Sequence, residues 1–364
     1  MNKILIAALG FYPEPHGIAQ VAYRHALALH ALGYQITVVT RTKTNEDFPF
    51  KLITINQKKA YQSLLKTSDA DVIFFHGWHN WTSEWAIEVF PLRGKTVLIS
   101  HGTNFNINFG GFRGELWWWR KRWEAFRFPP KMHRFDYFVF LSDQPDPQRM
   151  SDVILAKKLG ISNYTIIPNG ARPSFSHSKA TDFFKARNIH ASNILLCVSN
   201  FHYAKGQGEL LRWFLDLDLT DTALVLVGSK FNTFSERLKK LAGNRLNKAV
   251  FLLTQLKDEE MVAAYTEAIL FVSATYTEVQ PLVLLDAMTA GLPFLCRNVG
   301  AVSTLEGGLC FKNDTDFKQK VVELLGSASL RKKLGKEGKE ATQIKYNWEK
   351  IGQQYHQLIQ QLTP

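Results

Sequence analysis

The feature that most constrains the fold is a regular alternation of short apolar runs with amphipathic segments along the whole chain. The runs are rich in Ile, Val, Leu and Phe, which is typical of strands buried on both faces. Repeated strand–helix units of this kind predict α/β lobes with parallel, doubly wound sheets. In the first half the predicted strands are 3–9, 35–40, 51–55, 71–75, 95–100, 135–142 and 164–168.

The same pattern restarts after a polar stretch near residues 174–193. Because 364 residues suit two domains better than one or three, we predict two Rossmann-like lobes, over residues 1–175 and 176–344. A final amphipathic helix follows at 345–364. In the second lobe the predicted strands are 193–199, 223–228, 248–253, 269–273, 292–297 and 307–311.

Charge and cysteine content limit the partners and the compartment. The net charge of +12 indicates anionic partners, which include lipid headgroups, nucleic acid and phosphorylated ligands. The three cysteines form no CxxC pair, which favours a reducing compartment and disfavours a cysteine metal site. The apolar start resembles a short secretion signal, but Pro13 and Pro15 favour a buried strand. With no apolar window of ~20 residues, no membrane span is predicted and we expect a cytoplasmic protein.

Polar residues follow the predicted strands at the edge where parallel sheets bind ligands. After the strand ending at Ser199, Asn200 and Lys205 lie in the loop before a helix. Lys205 and Gly206 at a helix start suit a phosphate, through the ammonium and the free amides. Taken alone, this sequence favours a solvated surface loop, because many such loops end in Lys-Gly.

The segment 275–293 carries a stronger signal. Glu278 lies in a loop, and a helix is predicted from Pro281 to Ala290, closed by Gly291. A loop carboxylate accepts hydrogen bonds from sugar hydroxyls, and Asp286 within the helix suits the paired hydroxyls of a ribose. Because an aspartate among leucines is costly to bury without a partner, we favour a functional role for Asp286.

Three motifs together resemble a known family. They are Glu278, seven residues, then Asp286-Ala287-Met288-Thr289-Ala290-Gly291-Leu292-Pro293; Ser199-Asn200-Phe201 through Lys205-Gly206; and Ile167-Pro168-Asn169-Gly170. In this order they resemble glycosyltransferase family 4, retaining enzymes with the GT-B fold. The resemblance implies two Rossmann-like lobes facing across a cleft, with the final helix packing back on the first lobe. It also implies metal-independent transfer from a nucleotide-diphosphate sugar, such as a UDP- or GDP-sugar, with no cofactor.

The resemblance also assigns roles to individual residues. His101, which ends a strand of the first lobe, and Glu278 are implied as catalytic. Donor-binding residues are implied at Gly17, Asn200, Lys205, Val279, Gln280, Leu282 and Asp286. Acceptor-side residues are implied at His76, Trp78 and Asn104. A structural role is the usual one for a single histidine of this kind, and the presence of two at one sheet edge favours function.

This chain departs from the family pattern in three places. Asp286 replaces a glutamate, Asn200 replaces a phosphate-binding arginine, and Val279-Gln280-Pro281 replaces Gly-Phe-Gly. Pro281 has no N–H to donate. Diphosphate binding is therefore expected to rest on Lys205, on the amides of Val279, Gln280 and Leu282, and on the helix end.

Other functions remain as alternatives. Metal-dependent sugar transferases use Asp-x-Asp, but the triplets at 69–71, 216–218 and 314–316 do not follow strands and are interpreted as chance. No GxGxxG opens either lobe, which disfavours a nicotinamide enzyme. A GT-B sugar-nucleotide epimerase or phosphorylase, and an inactive transferase fold that binds lipid or nucleic acid, stay open.

The basic aromatic segment 112–135 predicts a membrane contact. One face of the predicted helix is apolar and consists of Phe112, Leu116, Trp119, Trp123 and Phe126. The sequence is equally consistent with packing of this face on the first lobe and with its exposure. Off that face lie the membrane-interface candidates Trp117, Trp118, Arg120, Lys121 and Arg122. We therefore expect a peripheral enzyme at an anionic membrane surface, acting in polysaccharide biosynthesis on a cell-envelope or lipid-linked glycan. Stacking on an acceptor sugar is the alternative, and nucleic acid is disfavoured as a partner.

Overall fold

The computed structural model describes residues 2–102, 111–127, 129–143, 152–176 and 181–364, and it divides into two compact units. The first comprises Met1–Gly170 and Asn347–Pro364, and the second Ala171–Tyr346. The first boundary falls before the predicted residue 175 because Ala171 and Phe175 are buried in the core of the second unit.

Within the described residues, the first unit contains a sheet of seven parallel strands in the order β3-β2-β1-β4-β5-β6-β7. The strands are β1 (Lys3–Ala8), β2 (Gln35–Thr40), β3 (Lys51–Thr54), β4 (Val72–His76), β5 (Lys95–Ser100), β6 (Tyr137–Phe140) and β7 (Tyr164–Ile166). The helices are α1 (Gly17–Ala31), α2 (Lys58–Thr67), α3 (Trp81–Ile87), α4 (Gly111–Arg127), α5 (Pro129–Met132) and α6 (Asp152–Lys158). The strand order reverses between β1 and β4, which is where such sheets bind ligands.

The second unit contains, over its described residues, six parallel strands in the order β10-β9-β8-β11-β12-β13. The strands are β8 (Asn193–Val198), β9 (Thr222–Gly228), β10 (Val250–Thr254), β11 (Leu270–Ser273), β12 (Phe294–Arg297) and β13 (Gly308–Phe311). The helices are α7 (Gln207–Asp216), α8 (Thr233–Ala242), α9 (Asp258–Glu267), α10 (Leu282–Ala290), α11 (Asp314–Gly326) and α12 (Ala328–Ile344). Here the order reverses between β8 and β11.

Both sheets have apolar cores on their two faces. Every residue of β4 and of β9 is buried, as the continuous apolar runs predict. The chain then returns to the first unit, where the last helix, α13 (Trp348–Leu362), buries Ile351, Tyr355 and Ile359 in that unit's core. None of the helices in the described part of the chain has the length and apolar character needed to cross a membrane.

Candidate functional site

Two loops meet at the carboxyl edge of the second sheet. One follows β8 and carries Lys205, and the other follows β11 and carries Glu278. Since β8 and β11 are hydrogen-bonded neighbours, their following loops leave the sheet side by side at the point where the strand order reverses. This position is the one at which open α/β sheets bind ligands.

Backbone contacts hold the two loops together. The Tyr276 amide donates to the Ala204 carbonyl at 3.0 Å, and the Thr275 hydroxyl donates to the same oxygen at 3.3 Å. Gly206 has a φ of +65°, and a Cβ at this position would lie 1.9 Å from the Ala274 carbonyl oxygen. Only glycine therefore fits between the loops.

Lys205 and Glu278 form an ion pair across the two loops. The Lys205 Nζ lies 2.5 Å from Glu278 Oε1, and the two side chains are 31% and 19% exposed. The structure thus brings together the cation predicted for a phosphate and the acid predicted for a sugar hydroxyl. Both groups remain open to solvent, so each can change partner when a ligand arrives.

The amino terminus of α10 lies at the same edge. The helix begins at Leu282, and Pro281 is its N-cap residue, with φ −73° and ψ 127°, rather than its first helical residue as predicted. A proline side chain cannot accept from the first amides, so the Leu282 amide stays in an uncapped helix end that attracts anions. Val279 and Leu282 are half-buried, Gln280 is buried, and Asn200 is exposed directly beyond β8.

Asp286 is enclosed and paired within the protein. Its carboxylate is 1% exposed and accepts from Arg172, with 2.9 Å from Nε to Oδ1 and 2.5 Å from Nη2 to Oδ2. The arrangement does not support the predicted ribose contact, because the carboxylate is buried and already holds a bidentate cation. Sequence reasoning missed Arg172, although a cation directly after Asn169-Gly170-Ala171 was a signal for it.

A second arginine at this edge was also missed. Arg297 ends β12, donates from Nε to the Ala274 carbonyl at 3.1 Å and forms an ion pair with Glu209. Its guanidinium carbon lies 4.7 Å from the centroid of the Tyr276 ring. Arg297 therefore supports the loop after β11 through Ala274 and Tyr276.

At the edge of the first sheet, a carboxylate holds the loop before α1. His16 caps the helix by accepting from the Ala19 amide at 3.2 Å, and its Nε2 lies 2.8 Å from Glu14 Oε2. The other Glu14 oxygen accepts from the Thr42 hydroxyl. Gly17, predicted to bind the donor, is exposed as the first residue of α1.

Three histidines of the first unit form a hydrogen-bonded row. His25 Nδ1 lies 3.1 Å from His76 Nε2, and His76 Nδ1 lies 3.0 Å from His101 Nε2. Burial lowers the pKa of His25 to about 3 and that of His101 to about 4, and it lowers the pKa of His76 well below its usual value. All three are therefore neutral near pH 7.

Of the three residues predicted on the acceptor side, the two that the structure describes are buried. His76 is fully buried with both ring nitrogens engaged, so the predicted acceptor contact is corrected to an internal role. Trp78 is 8% exposed and its ring stacks on Phe138, so it is a core residue rather than an acceptor contact. Asn104 lies outside the described residues.

Helix α4 presents its apolar stripe to solvent. Phe112, Leu116, Trp119, Trp123 and Phe126 are between 56% and 83% exposed, so the stripe does not pack on the first unit.

The opposite side of α4 is turned inward. Glu124 is buried and accepts from Lys121 Nζ at 2.7 Å and from Arg120 Nε at 3.0 Å. Lys121 also lies 5.2 Å from the centroid of the Trp117 ring. The predicted interface candidates Trp117, Trp118 and Lys121 are half-buried, while Arg120 and Arg122 are exposed.

An aspartate of each Asp-x-Asp triplet forms an ion pair with a lysine. Asp69 pairs with Lys3, Asp216 with Lys318, and Asp316 with Lys320. Among the described residues, no group of three or more His, Cys, Asp or Glu side chains is arranged to hold a metal ion.

Comparison with known sequences finds a family similar to the second unit. Residues 178–341 match the family described as glycosyl transferases group 1. Spore coat protein SA of Bacillus subtilis (strain 168) is 25% identical over 181 residues, 45% of this chain and 48% of that protein. The uncharacterized glycosyltransferase MJ1069 of Methanocaldococcus jannaschii is 24% identical over 280 residues, 74% of this chain and 69% of that protein. The match spans about half the length of the first relative, and it shows that the second unit is similar to glycosyl transferases group 1.

Solved structures share the fold over the whole chain. Sucrose-phosphate synthase from Thermosynechococcus elongatus superposes with a TM-score of 0.79 at 18% identity, covering 100% of this chain and 99% of that one. Anabaena HepE in complex with UDP-glucose superposes with a TM-score of 0.71 at 14% identity, covering 99% of each chain. The predicted fold, GT-B with two doubly wound parallel sheets, is confirmed.

Proposed function

We propose that the protein is a glycosyltransferase of family 4 type that transfers a sugar, with retention and without a metal, from a nucleotide-diphosphate sugar. The observation that carries the proposal is the Lys205–Glu278 ion pair at the switch point of a domain that matches glycosyl transferases group 1. Glu278, the acid proposed for the sugar, and Lys205, the cation proposed for the diphosphate, are close enough there to contact one ligand.

The donor's charges and hydroxyls suit the groups at this edge. Lys205 and the uncapped amino end of α10 bind the diphosphate. They stabilise the negative charge that develops on it as the sugar–phosphate bond breaks. Glu278, released from Lys205, accepts from a sugar hydroxyl and fixes the orientation of the sugar. His101 of the first unit is neutral near pH 7, so it can exchange hydrogen bonds with a ligand but has no extra proton to transfer. A similar fold that binds UDP-glucose favours a UDP-sugar among the possible donors.

Calorimetric titration with UDP, GDP and ADP tests the donor site. We expect one diphosphate to bind, and Lys205→Met to weaken it by roughly 10- to 100-fold because a charge-assisted contact is lost. Lys248→Met is the matched control, since Lys248 is exposed and precedes β10 at the opposite edge of the sheet. If none of the three nucleotides binds, the transferase proposal fails and an inactive fold is favoured.

The reaction itself is tested by analysis of the product formed from a sugar derivative of the nucleoside diphosphate that binds in the titration. We expect the product to keep the anomeric configuration of the donor, and transfer to persist in EDTA. Inversion at the anomeric carbon would exclude retention, and loss of transfer on chelation that added Mg²⁺ restores would exclude the metal-independent route.

We further propose that the acceptor is a lipid-linked or cell-envelope glycan, reached from an anionic membrane surface on which α4 lies. The support is the exposed apolar stripe of α4 together with exposed cations beside it. The Arg127 guanidinium lies 4.6 Å from the centroid of the Trp123 ring, so charge and indole occupy one face. Apolar residues that enter the headgroup boundary beside cations are typical of interfacial helices. This arrangement favours a cytoplasmic protein peripheral to the inner membrane face.

Flotation with vesicles of neutral and of anionic phospholipid tests the membrane contact. We expect binding to anionic vesicles that falls with salt, and Trp119→Gln with Trp123→Gln to weaken it by at least about tenfold. Phe231→Gln, at an aromatic residue of the second unit that is 44% exposed, is the matched control. Equal absence of binding to both vesicles would exclude the membrane proposal.

A further inference from the structure

The row of His25, His76 and His101 joins three different elements of the first unit. His25 lies on α1, His76 ends β4, and His101 follows β5. His25 and His76 are both fully buried, whereas His101 is half-buried at the carboxyl edge. The row therefore runs from the core to the edge at which a ligand is expected.

Neutral imidazoles in a row must share one direction of donation. A neutral ring has one N–H and one lone pair, so each inner contact at 3.1 and 3.0 Å uses a donor from one ring and an acceptor from the next. Either all protons point toward His25, or all point toward His101. Fixing the tautomer of one ring fixes the other two.

The buried end decides the direction. His25 Nε2 is buried and has no hydrogen-bond partner among the described residues. The rings of Phe74 and Tyr355 pack against His25, with centroids 4.9 and 4.0 Å from its own. A proton on this nitrogen would be a buried donor without an acceptor, which is rarer and costlier than an unused lone pair. His25 therefore carries its proton on Nδ1 and donates to His76.

We infer that His25 and His76 are positioning residues that hold His101 as the Nδ1–H tautomer. His76 then donates from Nδ1 to His101 Nε2, and the only proton left on His101 is on Nδ1 at the sheet edge. That nitrogen is a fixed, uncharged donor for an oxygen of the bound ligand, such as a sugar hydroxyl. The inference rests on the proposed function for its ligand, but the tautomer itself does not.

The tautomer is measured directly by long-range ¹H–¹⁵N correlation on protein labelled at histidine, with His101 assigned from the signal lost in His101→Asn. In the wild-type protein we expect a protonated Nδ1 and an unprotonated Nε2 for His101. A protonated Nε2, or the mixed pattern of free imidazole, would overturn the inference. This readout needs neither donor nor activity, so it stays informative if the transferase proposal fails.

Two nearly isosteric substitutions then test the contribution of His25. His25→Asn keeps an N–H donor close to the Nδ1 position, and His25→Leu removes it. We expect His25→Leu to give a mixed His101 tautomer and to lower kcat roughly tenfold with little change in the donor KM, and His25→Asn to restore both. An unchanged His101 tautomer in His25→Leu would show that His25 does not position it. If His25→Leu does not fold, the wild-type spectrum still decides the direction of the row.

Discussion

At the scale of single residues, two ion pairs of the second unit have different exposures and therefore different consequences. Lys205 and Glu278 are both open to solvent, so a ligand can replace either partner. Asp286 is 1% exposed beneath Arg172, and that pair belongs to the fold. A buried carboxylate that loses its cation is left as an uncompensated charge.

Arg172→Met tests the structural role of this pair. The change leaves the Asp286 carboxylate buried and unpaired, and we expect the free energy of unfolding to fall by about 3–5 kcal/mol. Replacing both partners, as Arg172→Met with Asp286→Leu, removes the charge and should recover most of the loss. Urea denaturation measures all three proteins. A loss below about 1 kcal/mol in the single variant would show that Asp286 is accessible to water, and would return it to the list of ribose contacts.

The residues of the site that could be predicted are those in the loops that follow strands. Lys205 and Glu278 follow β8 and β11, and adjacency of the strands brings them together. Arg172 and His25 are not recognised this way, because the contacts of Arg172 with Asp286 on α10 and of His25 on α1 with His76 do not follow from which strands are adjacent. The cost of burying Asp286 was recognised, but the partner is a cation of the chain rather than a ligand.

At the scale of elements, periodicity locates a helix face without saying what the face meets. The apolar runs predicted the strands of both sheets, because a strand buried on two faces has few other compositions. In α4 the same reasoning identifies the stripe but not its exposure. The decisive residue is Glu124, whose buried carboxylate accepts from Lys121 and Arg120, and the sequence alone does not distinguish it from Glu115 of the same helix.

Two neighbouring glycines test how the loops after β8 and β11 are held. Gly206→Ala places a Cβ against the Ala274 carbonyl at a positive φ, and we expect it to cost more than about 2 kcal/mol and to abolish nucleotide binding. Gly208→Ala is the control, because this glycine is in α7 and its added Cβ meets only Leu238 at 4.0 Å. That variant should bind normally and gain up to about 1 kcal/mol. Denaturation and calorimetry measure both, and equal behaviour of the two variants would contradict the close fit of the loops.

At the scale of the whole molecule, the first unit is assembled from both ends of the chain. Residues Met1–Gly170 form its sheet, and Asn347–Pro364 return to it after the second unit is complete. Gly352 allows the close approach of α13 to α1, because a Cβ there would lie 3.2 Å from that of Ala28. The stability of the first unit therefore depends on the last residues of the sequence.

Ile359→Ala tests this dependence. Ile359 is fully buried on α13, and we expect its truncation to destabilise the first unit by about 2–5 kcal/mol, because the cavity opens in that unit's core. Ile344→Ala is the matched control, since Ile344 on α12 is 59% exposed and its truncation should change stability by less than about 0.5 kcal/mol. Limited proteolysis locates the effect: cleavage of the Ile359→Ala protein should increase within residues 2–170, and the calorimetric affinity of the second unit for its nucleotide should not change. Faster cleavage within 171–346 instead would show that α13 stabilises the second unit, contrary to the division of the chain described here.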